Sequence, residues 1–273
     1  MSIETKMAWR NIWRNTRRSI LTAAAIAFAC MLLVFMLSFQ FGSYSTMINA
    51  SVKINTGHVQ VQHPDYQELQ EIQLVVKTPG RIGAILESMP EVEAYTFRAQ
   101  GFSLASSAER TQGILVTGID PAREPGVSKI KSQMRAGSYL TSEDREQALV
   151  GRLLARNLKL KIGDEITLLG QGRDGSIAAS VVWVKGIFST GIDDLDRAAI
   201  HIPLPTFQEI FTMEEAVHAI VVIADSLDAV AAIKSDLLTK LAQLDGHADS
   251  ETPTALDWDE LMPGLRQSMQ MDL

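Results

Sequence analysis

Five histidines, at positions 58, 63, 201, 218 and 247, and the trio Asp193, Asp194 and Asp196 are the residue types in this sequence that could ligate a metal. The histidines stand at no zinc-ligand spacing, so surface or strand histidine is the default reading. The aspartates lack EF-hand spacing, and an acidic solvated turn accounts for them. Gly170, Gly172 and Gly175 could cradle a phosphate, but no helix follows them; a hairpin tip needing positive φ fits better. GxxxxGK[ST], GxSxG and HExxH are all absent. The expectation is a non-catalytic chain with no catalytic residue, no metal and no cofactor. The lone cysteine, Cys30, lies inside an apolar run, where packing is its expected role, and no intramolecular disulfide can form.

The chemistry that remains is electrostatic and interfacial. Residues 7–20 run MAWRNIWRNTRRSI, and an uncharged stretch of 22 residues follows from Ile20 to Phe41. At 1.5 Å per residue it reaches ~33 Å, enough to cross the ~30 Å hydrocarbon core of a bilayer. It is too long for the apolar core of a cleaved signal peptide. Trp9, Ile12 and Trp13 share one helical face, and Arg10, Arg14, Arg17 and Arg18 take the adjoining arc. That pattern predicts an interfacial helix, with indoles at headgroup level and guanidinium groups on lipid phosphates. The basic flank places the N-terminus in the cytoplasm and residues after about 42 outside it, periplasmic or extracytoplasmic.

Charge divides the same way. Residues 1–41 hold five basic residues and one acid; the remainder holds 20 basic and 31 acidic residues, −11. An acidic outer portion argues against nucleic acid as a partner.

Beyond the apolar run, Gly42–Thr56 keeps helical spacing and predicts a stalk. HVQVQ (58–62) and LVVK (74–77) are expected strands. Thr78-Pro79 opens a helix that Pro90 stops, and 92–106 and 111–119 alternate as strands. Residues 120–147 are expected to be mostly loop. Residues 148–160 pass from strand to helix, 165–169 and 176–188 form a hairpin, 189–197 an acidic loop, and 198–204 a strand. VHAIVVIAD (217–225) is an expected buried strand, with Asp225 or Ser226 capping the helix after it. Residues 258–273 carry Leu261, Leu265 and Met269 in helical register. The expected fold class is α+β: one transmembrane helix, then a split α/β domain with an inserted strand-rich subdomain. The expected divisions are a cytoplasmic amphipathic helix at 1–19, a transmembrane helix at 20–41 and a stalk at 42–56. The split domain takes 53–115 and 216–258, the insertion 116–215, and a connector 259–273.

The ordered motifs Ala8-Trp9-Arg10-Asn11-Ile12-Trp13-Arg14 with Arg17-Arg18-Ser19, and Val150-Gly151-Arg152-Leu153-Leu154-Ala155 with Gly163-Asp164, resemble one family. Val184-Lys185-Gly186-Ile187-Phe188, Thr190-Gly191, Asp196 and Ile202-Pro203-Leu204 complete the set. The chain is similar to permease subunits of the MacB/LolC/LolE/FtsX class of ABC transporters, and the resemblance covers nearly all of it. What the resemblance implies is a Porter-like domain split around a Sabre-like insertion. It also implies dimerisation with a second permease copy or homologue, and an ABC ATPase subunit that drives motion of the outer domain. In lipoprotein-releasing members a periplasmic chaperone or adaptor takes the cargo. Gly151, Arg152, Gly163, Asp164, Gly186, Gly191, Asp196 and Pro203 would be structural motif positions. Trp9, Arg10, Trp13, Arg14, Arg17 and Arg18 would couple ATPase and membrane. Gln171, Arg173 and Asp174 would form a partner-binding tip, although this hairpin is shorter than the hook of LolC.

The sequence ends before a second apolar run, and the expectation is the N-terminal part of a longer permease. Lipoprotein release is the favoured cargo by analogy. MacB-like efflux and control of cell-wall hydrolases use the same architecture. The rival is a single-pass sensor, for which 19 residues before the membrane leave little room for a signalling module.

Overall fold

A computed structural model describes residues 7, 14–52, 56–244, 252–264 and 267. The chain divides into two compact units, residues 1–49 and 50–273. The first unit is dominated by helix α1 (Thr16–Val52), 37 residues without a break. Within it, Thr16–Asn49 is long and apolar enough to cross a membrane, and its apolar 18-residue stretch has mean hydropathy 2.7 and no buried residue. Ile26, Phe28, Leu33 and Phe35 all stand exposed. A helix apolar on every side needs a non-aqueous environment rather than one covering partner. Its few polar side chains close on the helix itself: Thr22 Oγ1 donates to the Arg18 carbonyl and Thr46 Oγ1 to the Gly42 carbonyl, both at 2.9 Å. Cys30, expected to pack, is exposed on this helix.

The second unit is built on a sheet with ten strands among the described residues. Four form an open antiparallel array in the order β10 (Thr254–Asp257), β1 (Val59–Gln62), β9 (Ala219–Ala224) and β2 (Val92–Ser106). Short helix α2 (Tyr66–Leu69) precedes α3 (Pro79–Glu87), which buries Ile82 and Leu86. Those two residues share a core with Val59, Val61, Ile233, Leu237 and Leu241. β9 is buried at every position because α4 (Glu124–Val127) covers its other face through Val127. This is why AIVVIA is continuously apolar rather than alternating.

β2 is 15 residues long and continues into a closed ring. Its second half pairs with β3 (Thr111–Ile119) on one side and β6 (Glu165–Gln171) on the other. β3 pairs in parallel with β8 (Ala199–Pro203), β8 with β5 (Gln147–Gly151), β5 in parallel with β7 (Ile177–Phe188), and β7 with β6. The ring β2–β3–β8–β5–β7–β6 therefore returns to β2. Each member pairs on both sides over part of its length, while residues 111–114 of β3 and 177–182 of β7 pair with a strand on one side only. Val116, Ile166, Leu168, Val182 and Ile200 are fully or almost fully buried. Strand β4 (Met134–Gly137) pairs with the far end of β7.

Several local expectations are corrected. Residues 74–77 form no strand, only an isolated bridge between Val76 and Val217. Thr78 precedes Pro79 as expected but makes no side-chain cap bond. The expected acidic loop 189–197 is loop only to 192 and continues as helix α6 (Asp193–Ala198). The helix after β9, α8 (Val230–Leu244), starts at Val230, not after Asp225 or Ser226. Met134–Gly137, expected as loop, and Thr254–Asp257 are strands. Helix α9 (Trp258–Leu261) follows β10 under a capping box between Asp257 and Glu260. Residues 265, 266 and 268–273 of the expected terminal helix lie outside the described residues. The boundary placed between 115 and 116 falls inside β3, a member of the ring.

Candidate functional site

Four of the eight motif positions, Gly151, Arg152, Gly191 and Asp196, meet at one corner of the ring. The Asp196 carboxylate is completely buried and accepts from three donors: Ser189 Oγ at 2.6 Å, Thr190 N at 2.7 Å and Thr190 Oγ1 at 2.8 Å. Arg152 Nε reaches Ser189 Oγ from the first turn of α5 (Arg152–Leu158) at 3.4 Å. Gly151, at the end of β5, lies against the Asp196 backbone. A Cβ there would sit 2.4 Å from the Asp196 carbonyl oxygen, so only glycine lets α6 approach β5 this closely. Gly191 turns the 189–192 loop with φ +85°. The site joins β5, α5, β7 and α6 through one satisfied buried carboxylate. It holds its own backbone and presents no free ligand atom, so it is an anchor rather than a reacting centre.

The other motif positions are turn and packing residues. Gly163 has φ +90°, and Asp164 Oδ2 accepts the Lys161 N–H at 2.8 Å, closing the turn into β6. Gly186 lies where β7 passes Met134 and Leu149. Pro203 ends β8, one residue before α7 (Leu204–Ile210).

Gln171, Arg173 and Asp174 do occupy a hairpin tip, but the tip folds back on the body. Arg173 N donates to the Phe211 carbonyl at 2.8 Å, and its guanidinium pairs with Glu214 at 3.3 Å. Asp174 accepts Ser176 Oγ at 2.6 Å and Ser176 N at 3.0 Å, which lowers its pKa. Gln171 is exposed at the end of β6. Arg14, Arg17 and Arg18 lie exposed at the N-terminal end of α1, whose first turn has no acid to balance its dipole. The three guanidinium groups and the positive end of the helix dipole make that end electropositive. Trp9, Arg10 and Trp13 lie outside the described residues.

Sequence reasoning missed a buried polar layer. Arg98 makes a two-pronged bond to Glu124, with contacts of 2.6 and 3.2 Å, where both side chains are almost completely buried. Burial, with Arg98 nearby, pushes His201 down to about 3. His218 accepts the Gln100 N–H on Nδ1 at 2.8 Å, contacts the Ile72 carbonyl through Nε2 at 3.1 Å and stacks on Tyr66 at 4.9 Å. Burial lowers its pKa to about 4, although the Ile72 bond opposes the shift. His201 lies within β8, and His218 stands in the bend just before β9. His247 lies outside the described residues, and no cluster of metal-ligating side chains occurs among those described.

In chain order, an apolar helix near the N-terminus is followed by a sheet domain that runs from an open array into a ring. The chain belongs to the family of MacB-like periplasmic core domains, whose model matches residues 19–240. The periplasmic region of MacB from Actinobacillus actinomycetemcomitans has a similar fold. Its TM-score is 0.55 at 14% identity, over 82% of this chain and 95% of that one. So does the extracellular domain of the ABC-type transporter YknZ from Gram-positive bacteria, with TM-score 0.53 at 15% identity, over 74% of this chain and 100% of that one. None of the curated proteins matches the chain. Family and helix together make this a membrane protein with an extracytoplasmic domain.

Proposed function

We propose that this chain is a permease subunit that receives force from an ABC ATPase at its N-terminal end and passes it to the extracytoplasmic domain. The observation that carries this reading is the unbroken helix from Thr16 to Val52. Its 37 residues reach ~55 Å, well beyond the ~30 Å of hydrocarbon, so one rigid rod extends past the bilayer. The arginines at its start, with Trp9, Arg10 and Trp13 just before them in the sequence, supply the contact on the cytoplasmic side. Residues after about 42 are extracytoplasmic in this arrangement, and the working unit is a dimer with a second permease copy or homologue. ATP hydrolysis belongs to the partner, since this chain has no P-loop.

The experiment is co-purification of the complete protein in mild detergent. An ATPase subunit should accompany the wild type and be lost from an Arg10→Glu, Arg14→Glu variant. A complete chain that retains no ATPase under any mild condition would contradict the proposal. For cargo we take forward release of lipoproteins, with a periplasmic chaperone or adaptor as acceptor. Depletion should then trap lipid-modified proteins in the cytoplasmic membrane. Sensitivity to exported small molecules without trapping would indicate MacB-like efflux instead.

A further inference from the structure

Array and ring share a single strand, β2, among the described residues. On one side of it β9 pairs as far as Arg98, and β6 takes up that side only from Ser103. On the other side β3 begins at Arg98. Residues 99–102 therefore have a strand neighbour on one side only. His218 stands in that gap: its N–H donates to the Arg98 carbonyl at 3.0 Å, and its Nδ1 accepts the Gln100 N–H at 2.8 Å. Arg98 itself sends its guanidinium into the two-pronged bond with Glu124, whose side chain is completely buried. Glu124 opens α4, which follows β3 of the ring in sequence and covers β9 of the array through Val127. The pair thus ties the segment leaving the ring to the one residue of β2 where β9 ends and β3 begins.

Apolar packing across this junction is continuous. Val61, Ile82 and Leu237 of the array share one cluster with Ile166, Leu168 and Val182 of the ring. Such packing is non-directional, so it holds two bodies together without setting the angle between them. A guanidinium fork on a carboxylate does set direction. Two charges buried this deeply add little net stability over apolar residues of the same volume, and specifying one arrangement is the role left to them. We propose that Arg98 and Glu124 are positioning residues that hold the ring at one angle to the array, so that the two move as one body. Helix α1 leads in sequence into β1, a strand of the array, so motion delivered through it reaches the ring across this seam. The inference rests on the coupling function proposed above and names the residues that carry motion from array to ring.

The test uses the complete protein in nanodiscs with Cys30 replaced by Ser. Spin labels go on Gly80→Cys, exposed in α3 on the array, and on Gly113→Cys, in β3 of the ring; a side chain at either meets nothing within 4 Å. Labelled chains are diluted in unlabelled ones, so that distances within one copy are read. In an Arg98→Met, Glu124→Leu variant the distribution between 80 and 113 should widen about twofold while the melting temperature stays at or above the wild-type value. Arg98→Lys, which keeps the charge but not the fork, should fall between the two. With the ATPase subunit added, single labels on two copies of the double variant should still report a nucleotide-dependent shift at 80 but not at 113. Wild-type width in the double variant, or in Arg98→Lys where the double variant does not fold, would overturn the proposal. So would widening that comes only with a lower melting temperature, the mark of general loosening. ATPase co-purification is scored on the same samples. Its presence with an unchanged width removes the seam and leaves the permease function standing, and its absence with a widened distribution does the reverse.

Discussion

Asp196 shows at the scale of single residues how a motif position acts without reacting. Replacing it with Ala strands the Ser189 and Thr190 hydroxyls and the Thr190 N–H in a buried corner. Each unsatisfied group costs about 1–3 kcal/mol, so Asp196→Ala should lower stability by about 3 kcal/mol or more in a denaturant titration, with Asp196→Asn retaining part of it. An Asp196→Ala protein as stable as wild type would show that the corner is not an anchor. The sequence placed Asp196 in a solvated acidic turn because three acids within four residues resemble exposed surface. Nothing local reveals that one of them points inward at donors seven and six residues earlier. The two buried histidines give a pH dependence. Their folded pKa values, about 3 for His201 and about 4 for His218, lie below the ordinary value of 6.5. The unfolded chain therefore binds more protons in acid. Stability is fully present above about pH 6.5 and falls as pH drops toward the folded values. Protonated His218 would also turn Nδ1–H against the Gln100 N–H it now accepts. Melting temperature should decline steadily from pH 6.5 to pH 4.5, and His218→Gln should flatten part of that slope.

Individual elements were legible where pattern and burial agree. The long strands at 92–106 and 177–188 and the strand-to-helix passage at 147–158 all show period-2 or 3.6-period apolar spacing, and they form where that spacing indicates. The four-residue strands β4 and β10 were not legible, whereas β1, equally short, was, because HVQVQ alternates. LVVK has strand composition but lacks the neighbours to extend its single bridge at Val76. Ring closure was also hidden, because β2 pairing with β6 joins residues more than 60 positions apart. Helix α1 carries the element-scale test of function. Ser43 is exposed within it. Ser43→Pro removes one hydrogen bond to the preceding turn and costs about 3 kcal/mol of helix. The domain beyond should melt as wild type and the ATPase should still co-purify, while transport is lost. Retained transport would show that a rigid rod is not required.

At the scale of the whole molecule, the family assignment covers residues 19–240 and the likeness to two solved extracytoplasmic domains establishes the fold. The resemblance that named this class rested on motif order along the chain, and the two solved structures share the fold at only 14–15% identity. Cargo was not legible, because the site those motifs build is a scaffold, and a scaffold does not contact what the machine moves. The central claim is that nucleotide state below the membrane changes the arrangement of the domains beyond it. Spin labels at Gly80→Cys in a Cys30→Ser background report the distance between two copies in nanodiscs containing the ATPase subunit. Trapping the ATP-bound state should shift that distance distribution relative to the nucleotide-free state, and Ser43→Pro should remove the shift. An identical distribution in both states of the wild-type complex would contradict the claim.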